Sequence, residues 1–203
     1  MWQGDLSLGF APTFFHVTYG DGDCWVNGFA FSCDYRGVYK PNGFCMAVKM
    51  AIGGVGANAD VPDEYNTEDF TINMGDLKGW NWWASYTIGK CFEHGAFSFT
   101  PTAGIGTSLA VLEGNGKMSY PYYAYHYNYE LFAIQLALCA DLAFDVMFTD
   151  KVGISSSLLV ALSLFGSVSE TVDVPGIASA TEDYSLEAGC ITFIPSFYLI
   201  IRF

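Results

Sequence analysis

The chain ends in CITFIPSFYLIIRF, residues 190–203, and this stretch decides the fold. Counting back from Phe203, every second residue is apolar, namely Ile201, Leu199, Phe197, Pro195, Phe193 and Ile191. The residues between them, from Arg202 back to Cys190, are mixed in character. Side chains of a β-strand point alternately to its two faces. The stretch is therefore predicted to be a strand with one face in lipid and the other in a barrel interior.

Seven further segments repeat this alternation, at about 5–17, 27–36, 44–54, 81–93, 96–109, 129–147 and 152–166. Each is near or above the ~9–11 residues with which a tilted strand crosses a bilayer, and no apolar run approaches the ~20 residues of a membrane helix. The sequence thus predicts one domain over residues 1–203, an all-β, eight-stranded antiparallel transmembrane up-and-down β-barrel. Pro12, Pro101 and Pro195 fall inside the predicted strands, and we expect them at bulges or at an aromatic rim.

The connections alternate in length, which is a second signal. Short turns are predicted at Gly37–Gly43, Glu93–Gly95 and Thr149–Lys151, and longer connections at 18–26, 55–80, 110–128 and 167–186. Bacterial barrels have short periplasmic turns and longer extracellular loops. We therefore expect a bacterial outer-membrane protein with extracellular long loops and both termini in the periplasm. The start, Met1–Gly4, lacks the features of an export signal, so we read Met1 as replacing a signal that is removed.

Composition and charge agree with this class. Apolar residues make up 52% of the chain and charged residues 14%, against about 25% charged residues in soluble domains. The net charge is −13, and 15 of the 21 acidic residues lie in or beside the four long connections. This acidic field argues against nucleic acid as a partner and favours cations or basic surfaces.

The alternating C-terminal residues Phe197, Leu199, Ile201 and Phe203 resemble the segment of outer-membrane barrels that the barrel-assembly machinery recognises. The strand pattern is similar to that of OmpW- and OmpX-type barrels, or of comparable short barrels of treponemes. The resemblance implies the barrel-assembly machinery and membrane lipid as partners. The chain departs from such proteins in having six cysteines.

Charged residues also occupy predicted inward positions. They are Lys49, Glu93, Asp141, Asp145 and Arg202. Charges inside a membrane protein usually pair with one another, so we expect a lumen charge cluster in which Arg202 pairs with Asp145 or Asp5. Most other inward positions are small, which predicts a cavity unless Phe15, Trp83, Tyr198 and Ile200 fill it.

The cysteines lack the spacing of a metal site, so no metal is expected, and no cofactor. Cys45 and Cys91 are predicted to face inward on neighbouring strands near one end. A disulfide between them is one hypothesis, since export crosses an oxidising compartment. The alternative is that both are small buried thiols.

The third long connection is rich in tyrosine, and Tyr120, Tyr122, Tyr123, Tyr125 and His126 are its candidate binding residues. Tyrosine offers a large contact area with a polar tip. Alternatively, these residues belong to an aromatic girdle at the membrane boundary, together with Trp80, Trp82 and Trp83.

Two functional interpretations follow. In the first, the barrel is a narrow channel or transporter for small solutes, including hydrophobic ones. In the second, it is a sealed barrel whose acidic, tyrosine-rich loops bind host surface proteins or cations. Because no catalytic motif is present, the chain is predicted not to be an enzyme; a lipid-modifying enzyme using His126 is the remote alternative.

Overall fold

The structure, a computed structural model, describes residues 1–19, 22–57, 71–186 and 188–203. In these residues the chain forms eleven strand segments. They are β1 (Trp2–Tyr19), β2 (Gly22–Tyr39), β3 (Phe44–Ala57), β4 (Thr71–Met74), β5 (Leu77–Lys90), β6 (Phe92–His94), β7 (Phe97–Ser119), β8 (Ala124–Met147), β9 (Val152–Val174), β10 (Ala178–Ser185) and β11 (Ile191–Arg202).

Eight of these strands close on themselves as an antiparallel ring, β1-β2-β3-β5-β7-β8-β9-β11. The closure is visible when directly paired residues are followed once around the ring. Starting from Asp5, they are Arg36, Ala47, Thr87, Gly104, Cys139, Ala161, Thr192 and finally Phe15. The path returns to β1 ten residues from its start, a stagger that the tilted strands of a closed barrel require. The predicted fold class is confirmed.

The three short segments extend this ring. β4 pairs with the C-terminal end of β7, and β10 pairs with the C-terminal end of β9. β6 pairs with the start of β7 and is separated from β5 by Cys91. The next β5–β7 pair after Gly89↔Thr102 would place Lys90 opposite Pro101, and proline has no N–H to donate to a ladder. Pro101 therefore accounts for the end of β5.

The predicted long connections are mostly strand rather than loop, which corrects the sequence interpretation. β7 and β8 stay paired out to Ser119↔Ala124, and β9 and β10 out to Val174↔Ala178. The first connection is a hairpin that is paired up to Tyr19↔Gly22. Only contact with lipid requires a strand to have an apolar outer face. Beyond the lipid a strand can be polar on both faces, because pairing with its neighbour still satisfies its backbone N–H and C=O groups. Within the second connection, residues 58–70 lie outside the described residues.

The outer face carries the predicted apolar band. Its exposed residues include Phe10, Phe31, Met50, Tyr86, Ile105, Leu138, Leu158 and Leu199. Aromatic residues mark both edges: Trp2 packs on Tyr39 and Phe44 at one end, and His16 packs on Trp25 at the other. The described residues contain no helix of the length and apolarity needed to cross a membrane.

Two prolines do not lie where they were expected. Pro12 and Pro195 are neither at a bulge nor at a rim, but in the middle of β1 and β11. The pairs Phe10↔Phe197 and Phe14↔Phe193 bracket them and place them opposite each other. Between these pairs the ladder is interrupted, because neither proline has an N–H to donate.

Candidate functional site

The candidate functional site is the barrel interior. We call the end with both termini and the short turns the turn end, and the end with the long hairpins the loop end. From the turn end upward, the interior holds charged side chains, then one tryptophan, and then an apolar space.

A buried charge cluster occupies the half nearer the turn end. It consists of Asp34, Arg36, Lys49, Asp141 and Asp145, each at most 5% exposed. Three carboxylates thus face two cations. Charges so deeply buried persist only when they are paired and hydrogen-bonded.

Arg36 is the centre of the lower part of the cluster. Its guanidinium donates to both oxygens of Asp145, from Nη1 at 2.8 Å and from Nη2 at 3.0 Å. Ser98 and Ser155 donate to the same carboxylate at 2.8 Å and 2.6 Å. Asp34 lies 3.0 Å from Arg36 Nε, without the alignment of a hydrogen bond. Asp145 is therefore the main partner of Arg36.

Lys49 is the centre of the upper part. Its Nζ lies 2.9 Å from Asp141 Oδ2 and donates to Ser157 Oγ at 2.7 Å. The ammonium also lies 5.8 Å from the ring centre of Tyr198, whose hydroxyl is 2.9 Å from Ser32 Oγ. Side chains from opposite sides of the barrel therefore meet across the lumen and fill it.

The predicted cluster members divide between two places. Lys49, Asp141 and Asp145 lie in the cluster, but Arg202 pairs with Asp5 at the turn-end mouth through two 2.9 Å hydrogen bonds. Glu93 does not point into the lumen; it is partly exposed and binds Lys40 at 2.6 Å. The reason is that β5 ends at Lys90, so Glu93 belongs to a short hairpin outside the ring.

The sequence interpretation left Arg36 and Asp34 out of the cluster. In the predicted strand 27–36, outward apolar residues alternate with inward residues, and Asp34 and Arg36 are at inward positions. This alternation was the signal in the sequence that could have added them to the cluster. Nothing in the sequence indicated that Arg36 reaches across the lumen to Asp145, because that contact joins strands 109 residues apart.

Trp83 fills the lumen above the charge cluster. It points inward and is fully buried, so its predicted place in the aromatic girdle is wrong, whereas Trp80 and Trp82 do face outward. A Cβ on Gly106 would lie 2.3 Å from Trp83 Cζ2. Small residues on the surrounding strands therefore accommodate this one large ring. Of the two alternatives that the sequence left open, a cavity or a lumen filled by large side chains such as Trp83, the structure shows the second at this level of the described lumen.

Above Trp83 the interior is apolar, and we call this region the upper chamber. Its wall includes Phe15, Val26, Leu112, Leu131 and Leu186, all nearly buried. The enclosed space is small, about 20 Å³, which is room for about one water molecule. Among the lining residues the polar side chains are Ser108 and Gln135.

The seam between β1 and β11 runs beside this chamber. β1 pairs with β2 along its whole length, but with β11 only from Asp5 to Phe10 and at Phe14 and Phe15. The unpaired stretch consists of the three residues 11–13, and the pairs on either side of it, at Phe10 and Phe14, are roughly 13 Å apart along the strand. Pairing resumes at Phe14, and the next residue, Phe15, lines the chamber. This seam is thus a weakly hydrogen-bonded part of the wall next to the apolar space.

The tyrosines of the third connection lie at the tip of the β7–β8 hairpin. Tyr120, Tyr123 and Tyr125 pack on one another with ring centres 5.0 Å and 5.5 Å apart, and Tyr122 is 95% exposed. The apolar outer face of β8 ends at Phe132, which is about 23 Å of strand below Tyr125. These residues lie beyond the boundary where a girdle would form. His126 is opposite Lys117 on the same hairpin.

Cys45 and Cys91 are buried in one small cluster with Val38. Both are free thiols in the structure, so their pairing stays a prediction. In the part of the chain that the structure describes, no three His, Cys, Asp or Glu side chains come together as a metal site.

The fold is that of known outer-membrane proteins. The chain is similar to a major outer membrane protein of Thermus thermophilus, with 12% identity over 98% of this chain and 99% of that one, and a TM-score of 0.60. It is also similar to OprG of Pseudomonas aeruginosa, with 10% identity over 99% and 95% of the two chains and a TM-score of 0.58. No protein-family model matches the chain, and no curated protein does. The predicted resemblance to small outer-membrane barrels is confirmed at the level of the fold: the chain has the fold of outer-membrane β-barrel proteins.

One comparison corrects the prediction that the chain is not an enzyme. The outer membrane protease OmpT of Escherichia coli has a similar structure, with 11% identity over 100% of this chain and 96% of that one, and a TM-score of 0.47. At this distance the likeness assigns no activity to the chain.

Proposed function

We propose that this barrel carries small apolar solutes into the outer membrane through the upper chamber and the β1–β11 seam. The loop end faces the outside of the cell, and both termini and the short turns face the periplasm. Solutes enter between the long hairpins. The buried charge cluster and Trp83 close the axis below the chamber, so the way out is sideways.

The observation that supports this route is the pair of facing prolines. Opening a wall between two strands normally breaks a row of hydrogen bonds. At Pro12 and Pro195 those bonds are already missing, directly below the chamber residue Phe15. On the outer face the gap is bordered on its turn-end side by Phe10 and Phe197, whose side chains are 57% and 66% exposed and therefore suit contact with lipid.

The route is tested by restoring the ladder. The double variant Pro12→Val, Pro195→Val regains two N–H groups that face each other across the seam. Uptake of an apolar fluorescent tracer by proteoliposomes is expected to fall at least tenfold in this variant. Pro101→Val is the matched control: it also replaces an outward-facing proline within a strand, but near the turn end and far from the chamber, and it should leave uptake unchanged. Equal uptake by all three proteins would disprove a seam route.

The second candidate function is binding of a host or envelope protein, and a different observation favours it. The tyrosine cluster at the β7–β8 tip is held by a paired hairpin rather than by a mobile loop. A rigid aromatic surface binds at low entropic cost. The lumen contacts also make the barrel a rigid anchor for this hairpin.

The test of this second function is adhesion of cells that display the barrel. Tyr122→Ala together with Tyr123→Ala is expected to reduce adhesion to host cells severalfold, whereas Tyr35→Ala, on the lipid face, serves as the control. Unchanged adhesion in the tip variant at equal surface expression would remove the tip as a binding site.

A further inference from the structure

The amide of Asn81 is an unpaired polar group in the interior. The residue is fully buried on the inner face of β5, and among the described residues neither Oδ1 nor Nδ2 has a hydrogen-bond partner. Buried amides in native proteins are nearly always paired with protein, water or ligand. Asn81 thus presents one acceptor and two donors to a partner from outside the chain.

Asn81 lies at the edge of the upper chamber. It is directly opposite Ala110 on β7, and both Ala110 and the next inward residue, Ser108, line the chamber. The next inward residues of β5, Trp83 and Ser85, also carry unpaired polar atoms. A strip of hydrogen-bonding groups therefore begins where the apolar wall ends.

The other polar groups at this level do not offer the same site. Gln135 donates to Thr192 Oγ1 at 3.2 Å, so its amide is already engaged. Lys49 and Arg36 are held by carboxylates below Trp83. The chamber therefore offers neutral hydrogen-bonding groups and, among its described lining residues, no unpaired cation. An ionised head group would be costly to bury there.

We propose that Asn81 binds the head group of the transported solute, which is a small amphiphile with an uncharged head and an aliphatic tail. The head both donates and accepts hydrogen bonds, as a carboxamide or a primary alcohol does. The tail takes the place of the chamber's aliphatic side chains, such as Leu112 and Leu131, which must shift because the space is about 20 Å³. This inference rests on the proposed solute route.

The test compares octanamide with n-octane. Binding of each to the refolded protein in phosphatidylcholine vesicles is measured by equilibrium partitioning, with protein-free vesicles subtracted. The wild-type protein is expected to bind octanamide at least tenfold more tightly than n-octane. Asn81→Leu has a similar volume but no hydrogen-bonding atoms, and it should abolish the difference. Asn128→Leu, an exposed position near the loop end, should retain it.

Folding of each variant is checked by its heat-dependent shift in electrophoresis, and Asn81→Thr, which keeps a hydroxyl, should show an intermediate preference. If Asn81→Leu keeps the preference, or if wild type binds both compounds equally, Asn81 is not the anchor, although solutes still enter. If neither compound binds above the vesicle background, the solute route fails together with this inference.

Discussion

The buried charge cluster gives a prediction about which charge the barrel depends on. Three carboxylates face two cations, and Arg36 makes its two hydrogen bonds to Asp145, while Asp34 lies beside Nε only. Removing the charge of Asp145 and removing that of Asp34 therefore differ in effect, although both are buried aspartates near the same arginine.

The magnitudes follow from these contacts. Asp145→Asn replaces a charge-assisted pair at 2.8 Å and 3.0 Å and weakens the bonds from Ser98 and Ser155. Hydrogen bonds to charged groups contribute about 1.5–3 kcal/mol each, and breaking a buried pair costs about 3–5 kcal/mol. Arg36 keeps Asp34, so we expect a loss of about 2–4 kcal/mol. Asp34→Asn removes the surplus negative charge and should change stability by less than about 1 kcal/mol.

The assay is reversible unfolding of the barrel in urea from lipid vesicles, followed by tryptophan fluorescence. Arg36→Met should be the most damaging of the three variants, because it leaves two buried carboxylates without a cation. From the smallest loss of unfolding free energy to the largest, the expected order is Asp34→Asn, then Asp145→Asn, then Arg36→Met. An equal loss of unfolding free energy in Asp34→Asn and Asp145→Asn would contradict the conclusion that Asp145 is the main partner of Arg36.

Three further predictions concern the rest of the lumen. Gly106→Val places a side chain against Trp83 and should lower the free energy of unfolding by about 1–3 kcal/mol, measured by urea unfolding; an unchanged midpoint would show that the indole can move aside. Purified without reductant, the protein should yield a peptide linking Cys45 and Cys91; recovery of both thiols as free after unfolding would end the disulfide hypothesis. In planar bilayers the refolded protein should give no conductance steps, with or without residues 55–79, because the axis is closed; discrete steps would demonstrate an axial pore.

The sequence was sufficient to predict the strands that contact lipid. There one face must be apolar, so residues such as Phe197 and Leu199 show their orientation directly. Beyond the lipid this constraint ends, and the paired ends of β7, β8 and β9 therefore looked like loops. Their pairing depends on a neighbouring strand, which single-strand alternation does not show.

The interior was only partly predictable for a similar reason. Alternation places Asp34, Arg36 and Trp83 on a face, but it does not show which side chain crosses the lumen. The contact between Arg36 and Asp145 depends on the register of the closed ring, as does the meeting of Pro12 with Pro195. Register accumulates over all eight strands, so these features become visible only in the structure.

The most direct test of a solute route is photolabelling with a small apolar diazirine in proteoliposomes, with the labelled residues identified by mass spectrometry. Lipid-facing residues will be labelled in any barrel. A route through the chamber predicts additional labels on inward-facing chamber residues, above all Val26 and Leu131, and on Ala11 beside the seam, with none on Lys49 or Asp141 below Trp83. Labels confined to the outer face would contradict it, because they would show that apolar solutes never enter the barrel.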